Sequence, residues 1–250
     1  MPRLPLPFSN QSAADWIVQF QNAADAEQRL RALQAIGVVC PPEEIVQWAS
    51  KALHDVDPVV RALAAKLSGN PALPLSTSED VQLFLLLADA DPDVRFESSR
   101  ALIRRKSAQA NAAFPILFSF LDEPETHALM VAAVVSALIE AELPPGVVVD
   151  ELQPRIQKLL EHERAEVREA IAHAFARWPV MVTSLSDQLI PLLDDSEPIV
   201  REKIAHAFGQ AGVFNGRIKV ALESASQDED TEVAREAADA LKAISPEPIR

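Results

Sequence analysis

The chain of 250 residues sets 23 Lys and Arg against 37 Asp and Glu, for a formal net charge of −14, and 48% of it is hydrophobic. That charge excludes a general nucleic-acid binder, because affinity for a polyanion comes from neutralised phosphates, and the composition excludes a disordered chain. Six Gly, no Tyr and one cysteine, Cys40, point to an all-α chain without an internal disulfide. No run of about 18 apolar residues offers a membrane span. The start, MPRLPLPF, lacks the apolar stretch of a secretory signal, so a cytoplasmic protein is expected.

Residues 1–10 hold three prolines and read as a flexible arm. An apolar segment with Trp16, Ile17 and Phe20 follows, and then Asp25 opens a second periodic segment with Arg29 four residues on. The same pairing recurs along the chain. Ile45 to Leu53 precedes Asp57-Pro58-Val59-Val60-Arg61, and Val81 to Leu87 precedes Asp91-Pro92-Asp93-Val94-Arg95. Phe114 to Leu121 precedes Glu123-Pro124, which places His127 in the arginine slot. After an insertion at Leu143-Pro144-Pro145-Gly146, Arg168 fills the next slot; Leu185 to Leu193 then precedes Glu197-Pro198-Ile199-Val200-Arg201. Ala234 occupies the last slot, in a polar helix from Glu232 to Ile244, and residues 245–250 form a tail. In this frame successive slots lie 32, 34, 32, 41, 33 and 33 residues apart.

The spacing inside a copy has a physical meaning. An acidic residue four before the slot suits a helix N-cap, where free N–H groups wait, and proline three before it suits the first helical position. Small or apolar residues at +3, +4, +6 and +7, such as Ile204, Ala205, Ala207 and Phe208, make one buried stripe. Each copy is a helical hairpin, and seven copies fill residues 11–244 as one domain.

Tetratricopeptide units need a Trp and Tyr signature, and ankyrin units need a Thr-Pro-Leu-His type turn with more glycine; neither is present. The Asp-Pro-x-Val-Arg start resembles HEAT repeats over about residues 12–244, in the short bacterial form of phycobilisome-lyase-like proteins. The resemblance implies a right-handed α-solenoid of about seven hairpins. It also implies a ladder in which Arg61, Arg95, Arg168 and Arg201 bond neighbouring repeats, with Asp55, Asp89, Asp195 and Asp228 as partners.

Positions +1, +2 and +5 of the second helices are expected on the concave side. Leu63, Lys66, Phe96, Arg100 and Leu129 there read as an apolar groove flanked by cations, the expected binding site for a protein or peptide partner. Repeats five to seven offer a more polar strip, with Glu169, His173, Glu202, Lys203, His206, Glu236 and Asp239. The Glu169/His173 and Glu202/His206 pairs share helix faces. HEAT-type deoxyhypusine hydroxylase is similar in idea, but its His-Glu dipeptides are matched here only by His162-Glu163, so no metal and no cofactor is expected. The basic run Arg104-Arg105-Lys106 reads as a solvated helix end, and Cys40 has no basic neighbour to activate it. No phosphate loop or catalytic triad signature appears. The expectation is a non-enzymatic scaffold or adaptor without small-molecule substrate. The alternative implied by the resemblance is an accessory lyase or chromophore chaperone.

Overall fold

The computed structural model describes residues 8, 10–74, 77–123, 127–141, 148–213 and 215–244, whose regular elements are all helices, with no strand among them. Most of the proline-rich arm, Pro124, the insertion at 143–146 and the tail 245–250 lie outside them. The chain divides into two compact units, residues 1–117 and 118–250.

In the first unit the hairpins pair α1 (Ala13–Asn22) with α2 (Ala26–Val39), α3 (Pro42–Ala52) with α4 (Pro58–Ser68), and α5 (Thr77–Leu85) with α6 (Pro92–Arg104). Helix α7 (Ala113–Asp122) contains the division. The second unit continues with α8 (Ala128–Glu140), a π-helical turn at Val148–Leu152, α9 (Gln153–Leu160) and α10 (Ala165–Phe175). After these come α11 (Pro179–Ser184), α12 (Ser186–Leu189), α13 (Pro198–Ala211), α14 (Gly216–Ala225) and α15 (Thr231–Ile244).

The helix starts obey the sequence logic. Asp25, Asp57 and Asp91 are N-caps whose carboxylates accept the N–H of Gln28, of Val59, and of Asp93 with Val94. Pro58, Pro92 and Pro198 stand at N1, where no donor is missed. Glu197 caps through its backbone only, its longer side chain making no cap bond. Second helices pack on second helices within each unit: α2 on α4 and α4 on α6, then α8 on α10, α10 on α13 and α13 on α15. The approach is close because the contact residues are small. A Cβ built on Gly69 would lie 2.9 Å from the Cα of Ala101, and one on Gly209 would lie 3.0 Å from the Cα of Ala240.

Two expectations about elements change. The apolar run from Leu185 to Leu193 is not one helix: α12 is a single turn, and a 3₁₀ segment with Pro191 follows over Ile190–Asp194. Proline there removes a donor and breaks the α ladder. The fourth repeat also has a different register. His127 is the N-cap of α8, not its slot residue, so the slot four residues later holds Val131. Buried Val134, Val135, Ala137 and Leu138 then fall at +3, +4, +6 and +7, as in α13. Measured this way, the intervals from Arg95 to Val131 and from Val131 to Arg168 are 36 and 37 residues.

The arginine ladder is present. Arg29 donates through Nε and Nη2 to the two oxygens of Asp55 at 2.7 and 2.8 Å, and Arg61 does the same to Asp89 at 2.9 Å each. In the second unit Arg168 holds Asp195, and Arg201 holds Asp228, with all four bonds at 2.8 Å. Each aspartate sits six residues before the next slot, and each also accepts the N–H two residues on, from Asp57, Asp91, Glu197 and Asp230 respectively. The Nη1 of Arg61, Arg95 and Arg201 donates to the main-chain oxygen of the aspartate in its own loop at 2.8 to 2.9 Å. One guanidinium therefore fixes its own loop and the loop of the following repeat, which is what bidentate geometry supplies beyond charge.

These carboxyls lie below the usual carboxylate range. At Asp228 the Arg201 bond is the main cause. At Asp55, Asp89 and Asp195 burial raises the value, but the arginine bond and the loop N–H together outweigh it. A folded value below the unfolded one, about 3.9, means stability that is present above that pH and lost as pH falls through the folded value. The unfolding midpoint should therefore hold from neutrality to about pH 5 and drop below about pH 4. Asp228→Asn should start from a lower midpoint and show a shallower acid drop; an unchanged acid limb would contradict the linkage.

Candidate functional site

The first unit contains four of the five residues expected in the groove. On α4, Lys66 is exposed and Leu63 half-buried, three residues apart on one face. On α6, Phe96 is only 6% exposed, so the ring belongs to the core and is not an exposed anchor. The guanidinium carbon of Arg100 lies 5.5 Å from the ring centroid, a cation on an aromatic face. Arg100 Nη1 also reaches both oxygens of Glu97 at 3.4 Å. Burial pushes the Glu97 carboxyl up, while Arg100 and then Lys66 pull it down, so both cations act on one carboxylate. Leu129 is 86% exposed but stands in the first turn of α8, outside the +1, +2 and +5 positions once Val131 marks the slot.

In the second unit the polar strip is present with other pairings than its sequence spacing implies. His206 Nδ1 lies 2.9 Å from Glu236 Oε2 on α15, while Glu202 takes Lys203 at 2.8 Å, so the expected Glu202/His206 pair is not formed. The +5 residue of α13 thus meets the +2 residue of α15, and the Lys66–Glu97 attraction follows the same rule. A cleft of about 290 Å³ between α13 and α15 is lined by His206, Gly209, Gln210, Glu236, Asp239, Ala240 and Ala243. Its size is below that of ordinary small-molecule pockets, and four of its seven lining residues are polar.

The basic run is not wholly solvated, because the Arg105 side chain is 1% exposed. Its Nη1 donates to the Ser68 carbonyl at 2.6 Å and its Nη2 to the Pro74 carbonyl at 3.2 Å; Glu79 and Asp80 stand 3.9 Å away. Burial raises the Glu79 carboxyl, with Arg105 the main opposing influence. The sequence carries a signal for this group in Glu79 and Asp80, which open α5 and belong to no ladder motif. The group ties the α5 start to the end of α6 and lies under the surface.

Cys40 is buried, and burial, followed by a bond with Glu44, pushes its thiol up to about 11, so the thiolate is scarce at neutral pH. Among the described residues no three His, Cys, Asp or Glu side chains converge as metal ligands. No described helix is long and apolar enough to cross a membrane.

Comparison with known proteins agrees with this geometry. Residues 152–242 match the family model of HEAT repeats. No curated protein matches the chain. Among solved structures, the YibA protein of Escherichia coli is 19% identical, with 92% of this chain and 81% of that one covered and a TM-score of 0.60. Kap121p is 14% identical with a TM-score of 0.62, the match covering 93% of this chain and 29% of that one. The complex of CpcE and CpcF of phycocyanin lyase from Nostoc sp. PCC7120 is 19% identical, covers 98% of this chain and 99% of that one, and has a TM-score of 0.49. Residues 152–242 thus match HEAT repeats by sequence, and the chain shares its fold with YibA and Kap121p.

Proposed function

We propose that the chain is a non-enzymatic protein-binding scaffold that engages its partner on the second-helix face of the first unit. The supporting observation is the surface of α4 and α6. Lys66 is exposed, Leu63 is half-exposed beside it, and Arg100 is spread over the buried Phe96 ring. Such a surface offers a half-exposed apolar side chain, Leu63, with Lys66 beside it and Arg100 on the next second helix. It favours a partner segment carrying an acidic residue next to an apolar one, and the cations set orientation and association rate more than total affinity. The solved structures similar in fold include one of Kap121p bound to Ste12p.

The test is affinity capture from the native cell with wild type and with Lys66→Gln, which leaves Arg100 in place on Phe96 and Glu97. The bound protein should be lost in the variant while helicity and unfolding midpoint persist, and Arg217→Glu on α14 should retain it. Equal recovery by all three proteins would remove this face from the binding surface.

A further inference from the structure

The ladder is interrupted at one seam inside the second unit. We propose that the α8–α10 contact is the yielding seam of that unit, which opens before α10–α13 and α13–α15. Both members of its rung are replaced together. Val131, 0% exposed, occupies the slot that elsewhere holds arginine, and His162 stands six before Arg168, where the other loops have Asp55, Asp89, Asp195 and Asp228. His162 retains only the local part of what the aspartates do. Its Nδ1 accepts the Arg164 N–H at 3.1 Å, as the aspartates accept the N–H two residues on. Its carbonyl also takes Arg168 Nη1 at 2.8 Å. What is gone is the bidentate bond to the preceding second helix.

Losing one partner would strand a charge, whereas losing both leaves a neutral contact that is free to slide. Packing of apolar stripes is non-directional, while a bidentate guanidinium bond admits one register. Two further observations fall at the same seam. The helix backing α10 there, α9, is entered through the π-helical turn Val148–Leu152, a form that interrupts regular i to i+4 bonding. The charged pair near it, Arg155 with Asp122 at 3.0 Å, has side chains 25% and 48% exposed and so holds weakly. Motion at this seam changes the spacing of α8 against α10, and with it the second-helix face of the unit.

Hydrogen exchange of the full chain, read by mass spectrometry, tests this. Amides of α8 and α10 should exchange through a subglobal opening about tenfold more often than those of α13 and α15. Arg168→Val/Asp195→His transplants the interruption, and it should bring α13 to the exchange rate of wild-type α8. Val131→Arg/His162→Asp should restore the rung and slow α8 by about tenfold, the ratio of one added bond. Equal or better protection of α8 and α10 in wild type would overturn the proposal, as would a transplant that leaves α13 unchanged. The transplant decides the matter even where the buried Val131 does not tolerate arginine.

Discussion

Phe96→Asp is expected to unfold the first unit or to lower its midpoint sharply, while Leu129→Asp leaves the protein folded with its midpoint in place. Phe96 is 6% exposed, and losing so large a buried side chain costs about 3 to 5 kcal/mol in itself. The substitution also puts a second carboxylate beside Glu97, which burial already pushes up and which already engages Arg100. A new buried charge without its own partner adds to the cost. The sum is comparable with the whole stability of a small unit, about 5 to 15 kcal/mol. Leu129, 86% exposed, stands in the first turn of α8, where an acidic residue suits the positive end of the helix dipole. Its change should stay within about 0.5 kcal/mol. Far-UV circular dichroism and thermal melts separate the two outcomes; a Phe96→Asp protein melting with wild type would place the ring outside the core.

Most of the fold is legible in one motif, because Asp-Pro-x-Val-Arg encodes a cap, a first turn and a cross-repeat bond within five residues. The N-caps Asp57 and Asp91 and the bonds Arg61–Asp89, Arg168–Asp195 and Arg201–Asp228 follow from it directly. Helix α8 is harder, because Glu123-Pro124 imitates a start while the helix begins at Ala128. The stretch from Leu129 to Val135 is apolar or alanine at every position, so periodicity alone cannot select a face. Phe96 occupies a position that is Ala62 in α4 and Glu202 in α13. Its ring is buried with a cation over its face, a placement no single-helix pattern encodes. Arg105 depends on the carbonyls of Ser68, at the end of α4, and of Pro74, in the loop that follows it.

Arg201→Ala is expected to cost about 2 to 3 kcal/mol. The Arg201 side chain is 11% exposed and its partner Asp228 12%, so neither group recovers full hydration when the other is lost. Three bonds go together: the bidentate pair to Asp228 and the Nη1 bond to the Asp195 carbonyl, all at 2.8 Å. Arg201→Lys should recover less than half of the loss, because one ammonium cannot serve both carboxylate oxygens and a carbonyl in the preceding loop. Removing both partners, in Arg201→Ala/Asp228→Ala, should cost less than the sum of the single changes by about 1 to 2 kcal/mol, since the double variant no longer strands a carboxylate. Arg217 pairs with Asp187 at the same 2.8 Å, but these side chains are 68% and 62% exposed. Arg217→Ala should therefore shift stability by no more than about 0.5 kcal/mol. Urea unfolding of wild type and these variants, with Asp228→Ala beside them, measures all of this on one scale. If Arg201→Ala cost no more than Arg217→Ala, distance rather than burial and loop bonding would set the strength of these pairs, and the ladder would be ornament on an apolar stack.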